Sequence, residues 1–401
     1  MTYRLGPIDG LRGIAILLVL WFHVWQISWL GADLTLFGQT YVFDIFPASG
    51  YVGVDLFFFI SGFCLFYPYA QAIFDGKPLH STGSFFYRRI IKIAPSYYFC
   101  IAALIATHFA TFGSFSSGLT DVVRHLFFVH SLWPDTFETI DGVMWSLGIE
   151  VQFYVLFPLI ALAFMRWPVL TFVVMAAIAN GWRHAVVGRY DVGFSYNQLP
   201  GVLDLFGSGM LSVYAYRWLA VRKPRIARLT WWWTGAAVAG FGLFYVALLP
   251  LFQTRYDHNW PWLTFLYGRP LMCLAFAMMA VGSLFALHIW QRALGNPVLL
   301  FFSLISYNLY LWHQTIAQIL LHAHLPPFSG TDPHLDLAWM WHFPLLAYPA
   351  AIAVATAITF ALERPLLKRR PFEEFFEPRD RAPLDLAPSL PAPAMAEAEQ
   401  I

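Results

Sequence analysis

The chain has 401 residues, 59% of them hydrophobic, 19% aromatic and only 12% charged, with a formal net charge of +1 and a mean hydropathy of +0.59. A soluble domain carries about one quarter charged residues, so this chain cannot cover itself in water. With no net field of either sign it offers no electrostatic footprint for nucleic acid.

A bilayer-spanning helix takes about 20 mostly apolar residues. Ten segments fit that length, at 11–30, 50–70, 90–112, 143–165, 167–187, 199–219, 229–252, 262–289, 298–321 and 340–362. The first runs on too far for a secretory signal and ends at no small-residue cleavage site, so it reads as a retained span. The 113–142 connection is long and semi-polar, with a short apolar piece at 126–129, and suits a surface or re-entrant helix. The run Trp231–Trp233 suits an interfacial belt. The tail 377–401 is rich in Pro, Ala and Glu and reads as disordered. Cys64, Cys100 and Cys273 lie in apolar runs at spacings that match neither a disulfide framework nor metal ligation, and read as packing residues. The expected architecture is all-α: a polytopic integral membrane protein of about ten transmembrane helices, with a membrane domain over 1–365 and a largely disordered cytoplasmic tail over 366–401.

Placing the N-terminus in the cytoplasm puts 19 of the 24 Lys and Arg residues on inner segments. That asymmetry predicts both termini cytoplasmic. The cluster Arg217–Arg228 serves only as topology signal.

Charged groups inside hydrocarbon are costly and mark function by default. Counting about 1.5 Å per residue from each predicted boundary puts His23, Asp55, Glu150, Asp204, Arg269 and His313 in one layer, roughly 8–12 Å below the outer face. Such a layer suits the floor of a polar cavity. Arg12 and His23 are eleven residues apart, close to three whole turns, so they share a helix face about 16 Å apart along the axis. An extended pantetheine arm has comparable length. A coenzyme A resting its phosphates on Arg12 would carry its thioester toward His23. Arg89 and Lys92, three residues apart at the start of the third span, share a face and suit the same clamp.

Six motifs follow one another along the chain. They are Ile8-Asp9-Gly10-Leu11-Arg12-Gly13-Ile14-Ala15 with His23, Gly53-Val54-Asp55-Leu56-Phe57-Phe58-Phe59-Ile60-Ser61-Gly62-Phe63, Arg88-Arg89-Ile90-Ile91-Lys92-Ile93-Ala94-Pro95, Trp145-Ser146-Leu147-Gly148-Ile149-Glu150-Val151-Gln152-Phe153-Tyr154, Ser306-Tyr307-Asn308-Leu309-Tyr310-Leu311-Trp312-His313 and Glu363-Arg364-Pro365. Together they resemble the acyltransferase-3 family of membrane-bound O-acyltransferases, whose hallmark is an Arg, ten residues, then a His. The resemblance runs from Ile8 to about Pro365. One departure is Lys92, where the family usually has a second Arg: the charge survives but the bidentate fork does not.

The resemblance implies an enzyme of the bacterial inner membrane. It moves an acyl group, expected to be acetyl, from acyl-CoA as co-substrate, with no permanently bound cofactor and no metal, to a hydroxyl of a carbohydrate or lipid-linked sugar. His23 would be the general base and Glu150 its orienting carboxylate. Arg12, Arg89 and Lys92 would hold the donor. Asp55, His313, Ser61 and Tyr307 would stand on the accessory, acceptor side. Each residue also has a plainer reading. His23 suits a packed histidine bonded to a backbone carbonyl, and the three cations suit ordinary inner-face anchoring. Glu150 could instead pair with Arg269. Asp55 and His313 suit structural hydrogen bonds. Asp204 and Arg269 fit a structural ion pair. Ser61 fits a packing residue beside Gly62, or else a nucleophile carrying the acyl group. The rival class is a proton-coupled transporter using His23, Glu150 and Asp55 as its relay. A hydrolase of lipid-linked substrates would need a nucleophile elbow, and Gly207-Ser208-Gly209 lacks its spacing.

Overall fold

In the computed structural model, residues 5–31, 33–79, 81–107, 115–188, 191–256, 262–328, 330 and 332–369 are described. The tail segment 377–401 lies outside them. The helices run α1 Gly6–Ser28, α2 Ile45–Ala48, α3 Val52–Asp75, α4 Thr82–Ala106, α5 Phe115–Leu126, α6 Trp145–Arg166, α7 Pro168–Ala185, α8 Val192–Tyr196, α9 Leu199–Arg222, α10 Pro224–Ala227, α11 Thr230–Gln253, α12 Arg269–Phe285, α13 His288–Leu294, α14 Pro297–His322, α15 Leu337–Ile358 and α16 Arg364–Arg369. Seven of the long helices are apolar enough to cross a membrane, or eight if the α13–α14 pair, bent by 43°, counts as one span. This is a multi-pass membrane protein.

Each of the ten predicted segments coincides with a long helix, yet α7 and α9 fall outside that apolar set. The reason is visible in α9. Almost every residue from Leu199 to Val213 is buried, including Gly201, Gly207, Ser208, Gly209 and Ser212. A helix enclosed by protein needs small residues for close packing more than an apolar perimeter for lipid. A Cβ on Gly209 would sit 2.0 Å from Phe59 O, and one on Gly62 would sit 2.1 Å from Phe206 O, so α3 and α9 touch backbone to backbone.

Two departures from the predicted elements matter. The loop after α1 holds an antiparallel hairpin, β1 Asp33–Leu36 with β2 Gln39–Val42, closing Leu36 opposite Gln39. Helix α4 starts at Thr82, eight residues before the predicted span. The Ser81 hydroxyl caps it, accepting from Ser84 N at 3.0 Å. Arg89 and Lys92 therefore sit two to three turns into α4, not at its start. The 113–142 connection holds a helix, α5, but it ends at Leu126, and most of the apolar piece at 126–129 lies beyond it.

Helix α1 is enclosed by α3, α14, α13 and α15. It lies against α14 so closely that a Cβ on Gly13 would meet Leu299 O at 2.4 Å. Asn296 caps α14, its Oδ1 accepting from Val298 N at 2.9 Å and Leu299 N at 3.0 Å, and Pro297 opens the first turn. Toward its other end α15 loosens into a π-turn, Thr359–Glu363, which turns the Glu363 side chain into the protein.

Candidate active site

The six groups predicted to share one layer separate into three clusters. The first joins His23 and His313. His313 Nδ1 lies 2.9 Å from Leu309 O and 2.8 Å from Tyr310 O. His23 Nδ1 lies 2.9 Å from Val19 O and 3.1 Å from His313 Nε2. Carbonyl oxygens only accept, so both Nδ1 atoms carry hydrogen. The network then assigns one arrangement to two neutral rings: His23 Nδ1–H is shared between Val19 O and the lone pair of His313 Nε2. His23 Nε2 keeps its lone pair. The carbonyl bond expected of a merely packed histidine is present, and it contributes to fixing this tautomer. His313 is fully buried and His23 half-buried.

The second cluster holds Glu150. Ser61 Oγ donates to Glu150 Oε1 at 2.8 Å, and Tyr154 OH donates to the same oxygen at 2.6 Å. The Arg89 guanidinium lies 5.7 Å from the ring centroids of both Phe85 and Tyr154. Glu150 therefore holds Ser61 and Tyr154, and the ring expected to lean on it, His23, leans on His313 instead. Nor does Glu150 pair with Arg269.

The third cluster is a buried ion network. Arg269 contacts Asp55 through Nη2 at 3.2 Å and Nε at 3.4 Å. Arg183 contacts Asp204 at 2.5 Å. All four are at most 5% exposed. The expected Asp204–Arg269 pair is thus replaced by two crossed pairs, and Asp55 belongs with them rather than with the acceptor-side groups. From sequence Arg183 reads as one of the outer-face topology charges, because it lies in the last turn of α7. Its Nε donates to Gly201 O at 2.8 Å, and Arg269 Nη1 donates to Tyr196 O at 2.9 Å, so both cations pin the turn into α9.

A cavity of about 950 Å³ runs between α1, α3, α4, α6, α14 and α16. Arg12, Lys77, Arg88, Arg89, Lys92, Arg364 and Lys368 line it against the carboxylates Asp9, Glu150 and Glu363, so its field is positive. Arg12 Nη2 donates to Cys64 Sγ at 3.4 Å, and Nη1 lies 3.6 Å from Asp9. Cys64 is thus part of the cavity wall, while Cys100 and Cys273 are buried as expected. Lys92 is held by Glu363, whose other oxygen accepts from Asn308 Nδ2 at 2.7 Å. The Lys92 ammonium also sits 5.4 Å from the Tyr307 ring centroid, and Tyr307 OH donates to Ile93 O at 2.8 Å. Tyr307 is therefore a wall residue of this cavity, at its Lys92 side. Only the resemblance's last tripeptide signalled Glu363.

Arg12 and His23 stand on one unbroken helix, but only Arg12 lines the cavity. Val54, Phe57, Ser146, Leu147 and Tyr310 also line it. Tyr310 joins the cavity to the histidine pair: it is a lining residue, and its backbone carbonyl accepts from His313 Nδ1.

The acyltransferase domain model matches residues 6–364. This chain belongs to the acyltransferase-3 family. It is an acyltransferase. Nodulation protein 10 of Rhizobium leguminosarum bv. viciae is 25% identical over 402 residues, covering 90% of this chain and 93% of that protein. A protein named as a candidate O-acetyltransferase in Staphylococcus aureus strain MSSA476 is 25% identical over 340 residues, covering 78% of this chain. The peptidoglycan O-acetyltransferase OatA of Listeria monocytogenes is 26% identical over 171 residues, covering 40% of this chain and 24% of that protein. This acyltransferase spans half the length of the staphylococcal relative, 50%. No solved structure matches it.

Proposed function

We propose that this acyltransferase moves an acetyl group from acetyl-CoA to a hydroxyl of a carbohydrate or lipid-linked sugar at the cytoplasmic (inner) membrane of a bacterium. The observation that carries the reading is His23 Nε2, which has no hydrogen-bond partner among the described residues, in a ring whose tautomer Val19 O and His313 Nε2 set. A neutral imidazole with an open lone pair is what a general base requires. The acceptor hydroxyl gives its proton to that nitrogen as its oxygen attacks the thioester carbonyl. The C–S bond then breaks, and the thiolate leaves as coenzyme A. His313 shares the His23 Nδ1 proton as the ring becomes cationic, the part that a carboxylate plays in the serine hydrolase triad.

The positive cavity supports a phosphate-rich donor. Arg12 and Arg89 are the clamp, and Lys92 contributes less because Glu363 already holds it. In this reading the cavity mouth and both termini face the cytoplasm, where coenzyme A is made. The names of the candidate O-acetyltransferase and peptidoglycan O-acetyltransferase relatives support O-acetylation of a surface glycan.

The test uses membrane vesicles from expressing cells, given radiolabelled acetyl-CoA. Label should enter the carbohydrate-containing extract in a base-labile ester, with one free coenzyme A released per acetyl transferred. Solute accumulation with no coenzyme A release would favour the transporter class and contradict the reading.

A further inference from the structure

We propose that Glu150 accepts a hydrogen bond from an amide N–H of the acyl-CoA pantetheine arm, and so selects for the arm as the arginines select for the phosphates. The inference rests on acyl-CoA occupying the positive cavity, and it names what one carboxylate of that cavity recognises. Asp9 and Glu363, the other lining carboxylates, each face a lining cation, Arg12 and Lys92. Glu150 has no ion-pair partner among the described residues. Its Oε1 accepts from Ser61 Oγ at 2.8 Å and from Tyr154 OH at 2.6 Å, which fixes the carboxylate from α3 and from its own helix, α6. Its Oε2 accepts from none of the described residues and is open to the cavity. Ser61 and Cys64 are three residues apart on α3, so they share a face about 4.5 Å apart along the axis. Arg12 donates to Cys64 Sγ, so its guanidinium and the Glu150 carboxylate meet one stripe of α3 within about a helical turn.

A ligand that fills the cavity takes the water from Oε2. An ionised oxygen left there without a donor is costly, so the ligand must bring one. An ionised phosphate oxygen brings none, and the carboxylate repels it. Acyl-CoA does carry donors, for two amide N–H groups follow its diphosphate along the pantetheine arm. With the diphosphate on Arg12, an open carboxylate about one turn away along α3 stands within reach of the arm and of its amides. A cation for the anionic part and a lone acceptor for the amide part then read two different pieces of one molecule.

The experiment measures dissociation constants by calorimetry on the purified full chain in detergent, with acetyl-CoA and with 3′-phospho-ADP, the nucleotide of coenzyme A without its arm. Glu150→Gln can keep Ser61 and Tyr154 on its amide oxygen while its NH2, which cannot accept, takes the place of Oε2. It should bind acetyl-CoA about 10-fold more weakly than the native chain does, and 3′-phospho-ADP no more weakly. An equal loss for both ligands, or no loss for acetyl-CoA, overturns the proposal. A second measurement needs no variant to fold: an acetyl-CoA analogue with both arm amides replaced by esters should bind the native chain about 10-fold more weakly than acetyl-CoA. Equal binding of analogue and acetyl-CoA by the native chain overturns the proposal as well. Binding of neither acetyl-CoA nor 3′-phospho-ADP by the native chain overturns the acyl-CoA donor itself, a different result from loss of the arm contact alone.

Discussion

At His23 the sequence suggested a catalytic imidazole and a carboxylate to orient it. The neighbour of that imidazole is a second imidazole. That pairing was not legible, because His313 is 290 residues away and a depth count is uncertain by about one turn. Glu150, Asp55 and His313 fell in the same predicted layer, and only side-chain geometry separates them. The consequence is a graded expectation at residue 313. His313→Leu removes the acceptor for the His23 Nδ1 proton and should lower kcat by about 100-fold with KM for acyl-CoA unchanged. His313→Gln can place an amide oxygen near the lost nitrogen and should recover part of that loss. Equal rates for the Leu and Gln variants would show that His313 serves packing only.

Among the elements, the long helices were legible because apolar length is the dominant signal of a membrane span. Their ion pairs were not, since hydropathy says nothing about which face a charge takes. Asp55 shows the cost of that gap: it rests on Arg269 across 214 residues of sequence. Breaking one side of a buried ion pair leaves an uncompensated charge, worth about 3–5 kcal/mol. Asp55→Ala should therefore lower the melting temperature strongly, whereas Asp9→Ala, on a half-exposed i,i+3 pair, should change it little. Similar shifts for both would contradict the assignment of Asp55 to a structural network.

The connection between α5 and α6 sits outside the spans and carries opposing titrations. Burial pushes the Asp141 carboxyl up from 3.8 to about 6, against the pull of its bonds to Thr315 and Val143. Burial, and then the stacked His125 ring, push His130 down from 6.5 to about 3. Between pH 3.8 and 6 the native state holds more of the Asp141 proton than the unfolded chain, so that contribution weakens folding as pH rises. His130 acts the other way from pH 3 to 6.5. Asp141→Asn removes only the first effect. Its melting temperature relative to the native chain should climb as pH rises from about 4 to 6, and a flat difference would contradict a buried protonated Asp141.

For the molecule as a whole, the fold brings a positively charged cavity and the His23–His313 pair to one residue, Tyr310, which lines the cavity and accepts from His313 Nδ1. Helix α1 carries both Arg12, in the cavity wall, and His23, which is not among the lining residues. The eleven-residue spacing made that axis legible from sequence. The place of Tyr310 was not legible, because it depends on Phe57, Ser146 and Tyr310 meeting from three helices. In the proposed reaction His23 accepts the proton of the attacking hydroxyl. The most direct measurement is the rate of acetyl transfer to the membrane acceptor by His23→Ala and the native chain at matched membrane levels. A loss of about 100-fold or more, with acetyl-CoA binding retained, is the predicted result; transfer at the native rate would contradict it.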